Sequence, residues 1–228
     1  MAFVQKNSDN TPLEEIGTIP NPDAPRINAN TKTLIDRYVF ASNWCKGKTV
    51  LDCASGVGYG AHILRGLGAN NIECLDIDEK TIITAREFYT DNNILFKVCD
   101  ITKKISDEEI NYGKFDVVVS METFEHVKRE DVPQMLENFK HLCKQGGKII
   151  ISTPKRHTKE FIYQGGTHLC EYSENEFINE LMAFFDEVTL YYALEFRHPA
   201  SNELNTVFTS NPQYSSNAVV MVAVINNV

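Results

Sequence analysis

The sequence predicts a doubly wound α/β fold: an open, mostly parallel sheet of seven strands, with helices on both faces and an antiparallel pair at one edge. Three observations predict it. Strand-like and helix-like segments alternate five times between residues 48 and 182, which requires parallel strands joined by right-handed crossovers. KFDVVVS is a nearly continuous apolar run, the pattern of a strand covered on both faces. The last two apolar segments, EVTLYYAL and AVVMVAVI, have no helical segment between them, so they pair antiparallel.

The composition suits such a fold. The chain has 228 residues, with 22 Lys+Arg against 31 Asp+Glu and a formal charge of −9. That length fits one domain over residues 31–228, preceded by an irregular arm over residues 1–30. A hydrophobic fraction of 43% with 23% charged residues excludes a wholly disordered chain. The acidic excess disfavours a protein that coats nucleic acid or an anionic membrane. No apolar run approaches the ~20 residues of a spanning helix, and MAFVQKNSDN lacks the apolar core of a signal peptide. The expectation is therefore a cytoplasmic protein without a membrane partner. Six cysteines without a CxxC pair exclude a zinc ribbon or thioredoxin-type motif. They read as reduced thiols, with Cys53, Cys74 and Cys99 packing as small hydrophobes.

Taken in order, Pro12, Pro20, Pro22 and Pro25 interrupt the polar arm, which is either unstructured or an ordered flap over a site. From Thr31 onward Leu34, Tyr38, Ala41 and Trp44 share one helix face. KTVLDC is the first strand, followed by a turn and helix from Gly56 to Leu67 that Gly66 or Gly68 stops. NIECLDI is the second strand, and Asp78 caps a helix carrying Ile82, Ile83, Ala85 and Tyr89. ILFKVCD and KFDVVVS are the third and fourth strands. Pro133 opens the next helix, whose apolar face is Met135, Leu136, Phe139 and Leu142 and whose stop is Gly146-Gly147. GGKIIIST is the fifth strand. Ser173 and Glu176 form a capping box ahead of Phe177, Ile178, Leu181 and Met182. Residues 195–217, with Pro199, Asn211-Pro212 and Ser215-Ser216, are a long insertion that shapes either an acceptor pocket or a dimer contact. The oligomeric state stays open.

In open parallel sheets, ligands bind beyond the carboxyl ends of the strands, at the switch point beside the first strand. There the chain reads Asp52-Cys53-Ala54-Ser55-Gly56-Val57-Gly58-Tyr59-Gly60. Glycines let the backbone turn sharply and approach a ligand. The spacing is G-x-G-x-G, unlike the G-x-G-x-x-G of a dinucleotide site, which counts against a nicotinamide enzyme. The acid ahead of it would repel a pyrophosphate and attract a cationic amino group. Asp76 ends the second strand, where a carboxylate can accept both hydroxyls of a ribose. Asp100-Ile101 ends the third, where a carboxylate can accept from an exocyclic adenine amine. Together these describe a pocket for an adenosine bearing an amino acid; simple helix capping by Asp76 and Asp100 is the blander account.

VLDCASGVGYGA, ECLDID, KVCDIT, FDVVVSMETFEHV and GGKIIISTP resemble, in order and spacing, the motifs of class I S-adenosylmethionine-dependent methyltransferases. The likeness covers about residues 34–194. It implies a Rossmann-like, seven-stranded sheet and S-adenosyl-L-methionine as cofactor. Carried over by position, it places Asp52, Ala54, Gly56 and Gly58 along the methionine part, Asp76 on the ribose, and Ile77 against adenine. Asp100 and Ile101 then meet the adenine edge. The stretch Leu34-Ile35-Asp36-Arg37-Tyr38 resembles a helix found in relatives encoded beside glycan-synthesis enzymes, which implies that Arg37 pairs with the cofactor carboxylate. Ala54-Ser55 departs from the Gly or Cys of many members, but both residues are small enough to keep the turn.

The chemistry centres on Ser120-Met121-Glu122-Thr123-Phe124-Glu125-His126. In a helical turn Glu122 stands three and four residues before Glu125 and His126, so all three face one point. Gly166-Thr167-His168-Leu169-Cys170-Glu171-Tyr172-Ser173 brings His168 to the same edge of the sheet. Two carboxylates and two imidazoles can converge there on a divalent ion. E-x-x-E-H with a later His is similar to quinone-biosynthesis O-methyltransferases and to small-RNA 2′-O-methyltransferases. That likeness implies metal ligation by Glu122, Glu125, His126 and His168, a catalytic role for His126 and His168, and contact of Met121 and Glu122 with the cofactor. The implied chemistry is Lewis-acid activation of a hydroxyl and in-line attack on the sulfonium methyl. An ion-free alternative stands beside it, with Glu122 at the cofactor and His126 as base or packing group.

The expected activity is methyl transfer to a hydroxyl of a small acceptor such as a sugar or nucleotide-sugar. RNA 2′-O-methylation, against which the charge weighs, and N-methylation of a small molecule are the alternatives. Lys155, Arg156 and Lys159, with His157 among them, form a short basic cluster that either meets an anionic acceptor or is a solvated loop. Tyr163, Tyr172 and Phe196 are candidate wall aromatics, and His62, His141 and His198 have no partner pattern.

Overall fold

A computed structural model describes residues 29–89, 91–158, 168–197 and 204–228, with the side chains of 29–31 left aside. The arm over residues 1–28, Lys159, Tyr163, Gly166, Thr167, His198 and Pro199 lie outside the described residues. The elements run α1 (Ala29–Cys45), β1 (Thr49–Cys53), α2 (Tyr59–Gly66), β2 (Asn71–Asp76), α3 (Glu79–Phe88), β3 (Ile94–Val98) and β4 (Phe115–Ser120). A single 3-10 turn at Phe124–His126 precedes α4 (Val132–Leu142), β5 (Cys143–Pro154), α5 (Glu174–Met182), β6 (Glu187–Arg197), β7 (Leu204–Thr209), a second 3-10 turn at Pro212–Asn217, and β8 (Val220–Asn227).

Local chemistry starts the helices where the sequence expects. Asp78 accepts from the Lys80 N–H at 3.1 Å, satisfying an orphan donor of the first turn of α3, and from the Thr81 hydroxyl at 2.7 Å. The Ser173–Glu176 capping box is present at α5. Pro133 occupies the first turn of α4, where its missing N–H costs no intrahelical bond.

The strands are ordered β3-β2-β1-β4-β5-β8-β6-β7. β1 to β5 pair in parallel, and β8 runs antiparallel between β5 and β6. This eighth strand in chain order is central and almost wholly buried, which explains its unbroken apolar run. The expectation of seven strands is corrected to eight among the described residues. β7 lies inside the stretch read as an insertion and pairs antiparallel with β6 at the sheet edge. Its LNTVFT is only partly buried, so it lacks a strong local signal. What holds it is nonlocal: Phe208 stacks on Phe40 of α1 with ring centroids 4.3 Å apart.

Side-chain alternation divides the core into two layers. Leu51, Cys53, Val118, Ile149 and Ile151 pack beneath α4 and α5, whereas Val50, Val117, Val119 and Ile150 pack beneath α1, α2 and α3. All six cysteines are free; Cys53 and Cys74 are buried, while Cys99 is only partly so. Among the described residues no helix is long and apolar enough to cross a membrane.

Candidate functional site

A cavity of about 500 Å³ opens beyond the carboxyl ends of β1 to β4. Its wall includes Ala54, Gly56, Asp76, Ile77, Asp100 and Ile101 from the first three strand ends. Glu122 and His126 join them from the segment after β4. Thus most of the residues singled out from sequence share one concavity. Arg37, Asp52, Gly58, Met121, Glu125 and His168 are not in that wall; they stand behind or beside it.

The glycine turn is built around Asp76. Its two carboxylate oxygens accept from the Gly56 N–H at 2.8 Å and the Asp78 N–H at 3.0 Å. Burial pushes the Asp76 carboxyl above its ordinary range, and those two N–H groups oppose the shift. Ala54, Gly56 and Gly58 adopt φ +57, +56 and +86, all left-handed, so the turn holds one non-glycine residue in a region that side chains disfavour. At Gly58 a Cβ would stand 2.6 Å from the Phe96 ring. Gly60 is different: its cost is packing, since a Cβ would stand 2.0 Å from the Tyr38 ring.

Tyr38 belongs to a buried layer beneath the turn. Its hydroxyl donates to Asp52 Oδ1 at 3.3 Å, and Asp52 is 0% exposed with Oδ2 lacking a hydrogen-bond partner. Burial pushes the Asp52 carboxyl up to about 8, partly offset by the Tyr38 bond, and the Asp76 charge adds to the rise. Asp100 Oδ1 takes both donors of Thr102, the N–H at 2.9 Å and the hydroxyl at 2.6 Å. The D-x-T spacing is an Asx-turn signal legible in the sequence.

The segment after β4 departs from the expected helical turn. Only Phe124–His126 is helical, as one 3-10 turn, and Glu122 lies at φ +52. Glu122, Glu125 and His126 therefore do not share one face. Glu122 accepts from the Ser152 hydroxyl at 2.6 Å, returns its own N–H to that oxygen at 3.0 Å, and pairs with Arg37 at 3.5 Å. Glu125 accepts from the Thr153 hydroxyl at 2.9 Å. Ser152 and Thr153 are successive residues of β5, so their side chains leave opposite faces of the sheet. One carboxylate is held on the α1 side and the other on the α4–α5 side. The sequence contains this signal, an S-T pair ending an apolar strand, but nothing in it names the partners.

Glu125 is 1% exposed. Burial pushes its carboxyl well above the usual range, and the charge of Glu122 adds to the effect. Its Oε1 lies 3.8 Å from His126 Nε2. The His126 and His168 rings meet edge to face with centroids 5.0 Å apart. Glu125, His126 and His168 each offer a ligand atom within 4.8 Å of the others. Glu122 is outside this trio. Elsewhere, Tyr172 is fully buried against Phe124 and is not a wall aromatic. Lys155 and Arg156 are tied to Ser215 and Glu176, so they are not a solvated patch, while His157 is exposed. His62 lies tilted against Tyr89, and His141 stacks on Tyr112.

Residues 51–151 match the family described as a methyltransferase domain. Over 138 residues the chain is 31% identical to the ubiquinone biosynthesis O-methyltransferase of Pseudomonas paraeruginosa, covering 58% of this chain and 58% of that one. The chain thus spans a little over half the length of that curated relative. The crystal structure of an S-adenosylmethionine dependent methyltransferase from Mesorhizobium loti is similar with a TM-score of 0.57 at 16% identity, over 83% of this chain and 98% of that one. The PH0226 protein of Pyrococcus horikoshii is similar with a TM-score of 0.63 at 16% identity, over 94% and 97% of the two chains. Those structures share the fold, and the matched domain contains the glycine turn, both acidic strand ends and the E-x-x-E-H segment. The matched domain, the curated relative and the shared fold together support a class I S-adenosylmethionine-dependent methyltransferase.

Proposed function

We propose that the chain methylates a hydroxyl oxygen of a small acceptor, a sugar or nucleotide-sugar, at the Glu125–His126–His168 end of the cavity. The observation that carries this reading is the meeting of those three side chains at His126, which lines the cavity. The name of the curated relative, an O-methyltransferase, favours oxygen over nitrogen.

The remaining residues take roles around S-adenosylmethionine. Asp76, already oriented by two backbone N–H groups, has lone pairs left for ribose hydroxyls. Ile77 is 66% exposed at the cavity, an apolar surface suited to packing on adenine. Asp100 uses one oxygen on Thr102, leaving the other as acceptor for the adenine amine. Arg37 is buried, with Nε unpartnered beside the Glu122 pair, and serves the cofactor carboxylate. Asp52, wholly buried, supports the turn through Tyr38 rather than touching the ligand.

One carboxylate and two imidazoles are a donor set that a divalent ion accepts. Bound there, such an ion supplies a Lewis acid that lowers the pKa of a neighbouring hydroxyl. With no ion bound, His126, in the cavity wall, is instead the group that takes the acceptor proton. Thr153 keeps Glu125 beside His126, and the cavity walls hold the acceptor oxygen close to the methyl, where orientation alone lowers the barrier by several kcal/mol.

The test is a labelled-methyl transfer screen over sugars, nucleotide-sugars, phenols, quinone precursors, small amines and short RNA, run with and without a chelator. Transfer to a sugar or phenol hydroxyl supports the reading. Transfer confined to amines or RNA overturns it. Activity that resists the chelator discards the ion and leaves His126 as a base.

A further inference from the structure

We infer that Glu171 is a positioning residue that fixes the tautomer of His168, so that the ring presents Nε2 to the site. The inference rests on the reading of Glu125–His126–His168 as the reactive end of the cavity. His168 Nδ1 lies 3.0 Å from Glu171 Oε1. An ionised carboxylate only accepts, so this bond requires the proton on Nδ1 and makes Nε2 the unprotonated nitrogen of the neutral ring.

The backbone around the pair is anchored on both sides. On one side, the Leu169 and Cys170 N–H groups both donate to the Glu125 carbonyl, at 2.7 and 3.0 Å. That ties the loop bearing His168 directly to the segment bearing His126. On the other side, Arg156 donates from Nη1 to the Glu171 carbonyl at 3.1 Å and from its N–H to the Tyr172 carbonyl at 2.9 Å. Arg156 is itself held by Glu176 of the capping box at 2.5 Å. Tyr172 is fully buried against Phe124, with centroids 4.9 Å apart. The backbone on both sides of Glu171 is thus anchored, and its carboxylate meets His168 three residues away. The ring in turn lies edge to face with His126.

A partly exposed pair of this spacing is ordinarily worth little to stability; the geometry assigns its value to ring orientation instead. Carboxylate partners of site histidines act in this way, and losing one typically costs about 10–100-fold in metal affinity.

The test uses the full chain with 15N-labelled histidine rings at pH 8, where an unperturbed imidazole is neutral. Long-range 1H–15N spectra are expected to show His168 protonated at Nδ1 in the wild type and in Glu171→Gln, which keeps an acceptor oxygen. Glu171→Ala is expected to move the ring toward the Nε2–H form. In parallel, Mn²⁺ titration followed by electron paramagnetic resonance is expected to show about 10–100-fold weaker binding in Glu171→Ala and a smaller loss in Glu171→Gln. A wild-type ring protonated at Nε2, or a tautomer unchanged in Glu171→Ala, overturns the inference. Tautomer control by Glu171 without Mn²⁺ binding to any variant supports the positioning role and refutes the ion, which separates the two readings.

Discussion

Gly60→Ala is the substitution for which local and tertiary reasoning disagree most. Gly60 lies in α2, outside the positive-φ glycines, so alanine fits the backbone and, as the better helix former, should stabilise by about 1 kcal/mol. The added Cβ, however, would stand 2.0, 2.2 and 2.6 Å from three atoms of the Tyr38 ring. To reach an ordinary contact of 3.4 Å the ring must withdraw by about 1.4 Å. It has no free space for this, since Tyr38 is 3% exposed and packs edge to face on Tyr59 with centroids 5.4 Å apart. Overpacking costs about 1–3 kcal/mol. Losing the hydroxyl bond to buried Asp52 adds about 1–3 kcal/mol. Against the helix gain, the net destabilisation is about 3 kcal/mol, a large share of a typical stability of about 5–15 kcal/mol. Urea unfolding followed by circular dichroism measures it. The decisive comparison is Gly60→Ala in a Tyr38→Ala background, where no ring is present and the substitution should be neutral or stabilising. An equal cost in both backgrounds would refute the clash with Tyr38.

Three further outcomes follow from the site. Ala54→Gly should stabilise by about 0.5–1 kcal/mol, because the φ of +57 costs alanine more than glycine loses in chain entropy; thermal melts that show destabilisation would refute it. Asp52→Asn should flatten part of the pH dependence of stability. The folded carboxyl, raised by burial to about 8, binds a proton that the unfolded chain releases near pH ~4, so wild-type stability falls as pH rises between those values by up to ~1.4 kcal/mol per pH unit from this group. Wild-type and Asn curves that run parallel from pH 5 to 8 would contradict that. Asp76→Ala should weaken S-adenosylmethionine binding by about 1.5–3 kcal/mol, the scale of a charged hydrogen bond, and unchanged affinity by calorimetry would remove Asp76 from the pocket.

The elements were legible where their signal is local. The Asp78 cap, the Ser173–Glu176 box and the Pro133 start each satisfy backbone groups within one turn, so a few adjacent residues suffice to write them. The glycine turn and the acids at the ends of β2 and β3 were legible for the same reason: strand ends carry the residues that face the switch point. β7 was not, because LNTVFT has half-buried faces and is fixed by Phe40 of α1, far away in the chain. The expected helical turn from Glu122 to His126 failed because helical spacing says nothing about a left-handed residue in its first position.

By itself the sequence determined the alternation of strands and helices, the parallel sheet that follows from it, and the sheet edge where Asp76 and Asp100 stand. Only the tertiary structure decided which acids reach the cavity and which disappear beneath it. Asp52 is a carboxylate of the same motif, yet the packing of Tyr38 over Gly60 removes it from water. Glu122 and Glu125 are three residues apart, yet successive hydroxyls of β5 hold them on opposite faces of the sheet. His168 joins His126 from 42 residues away because the Glu125 carbonyl fixes its loop. The physical reason is the same in each case. Backbone patterns obey short-range sterics and hydrogen bonding that neighbours in sequence supply, whereas the position of a charge depends on partners and burial that only the folded sheet brings together.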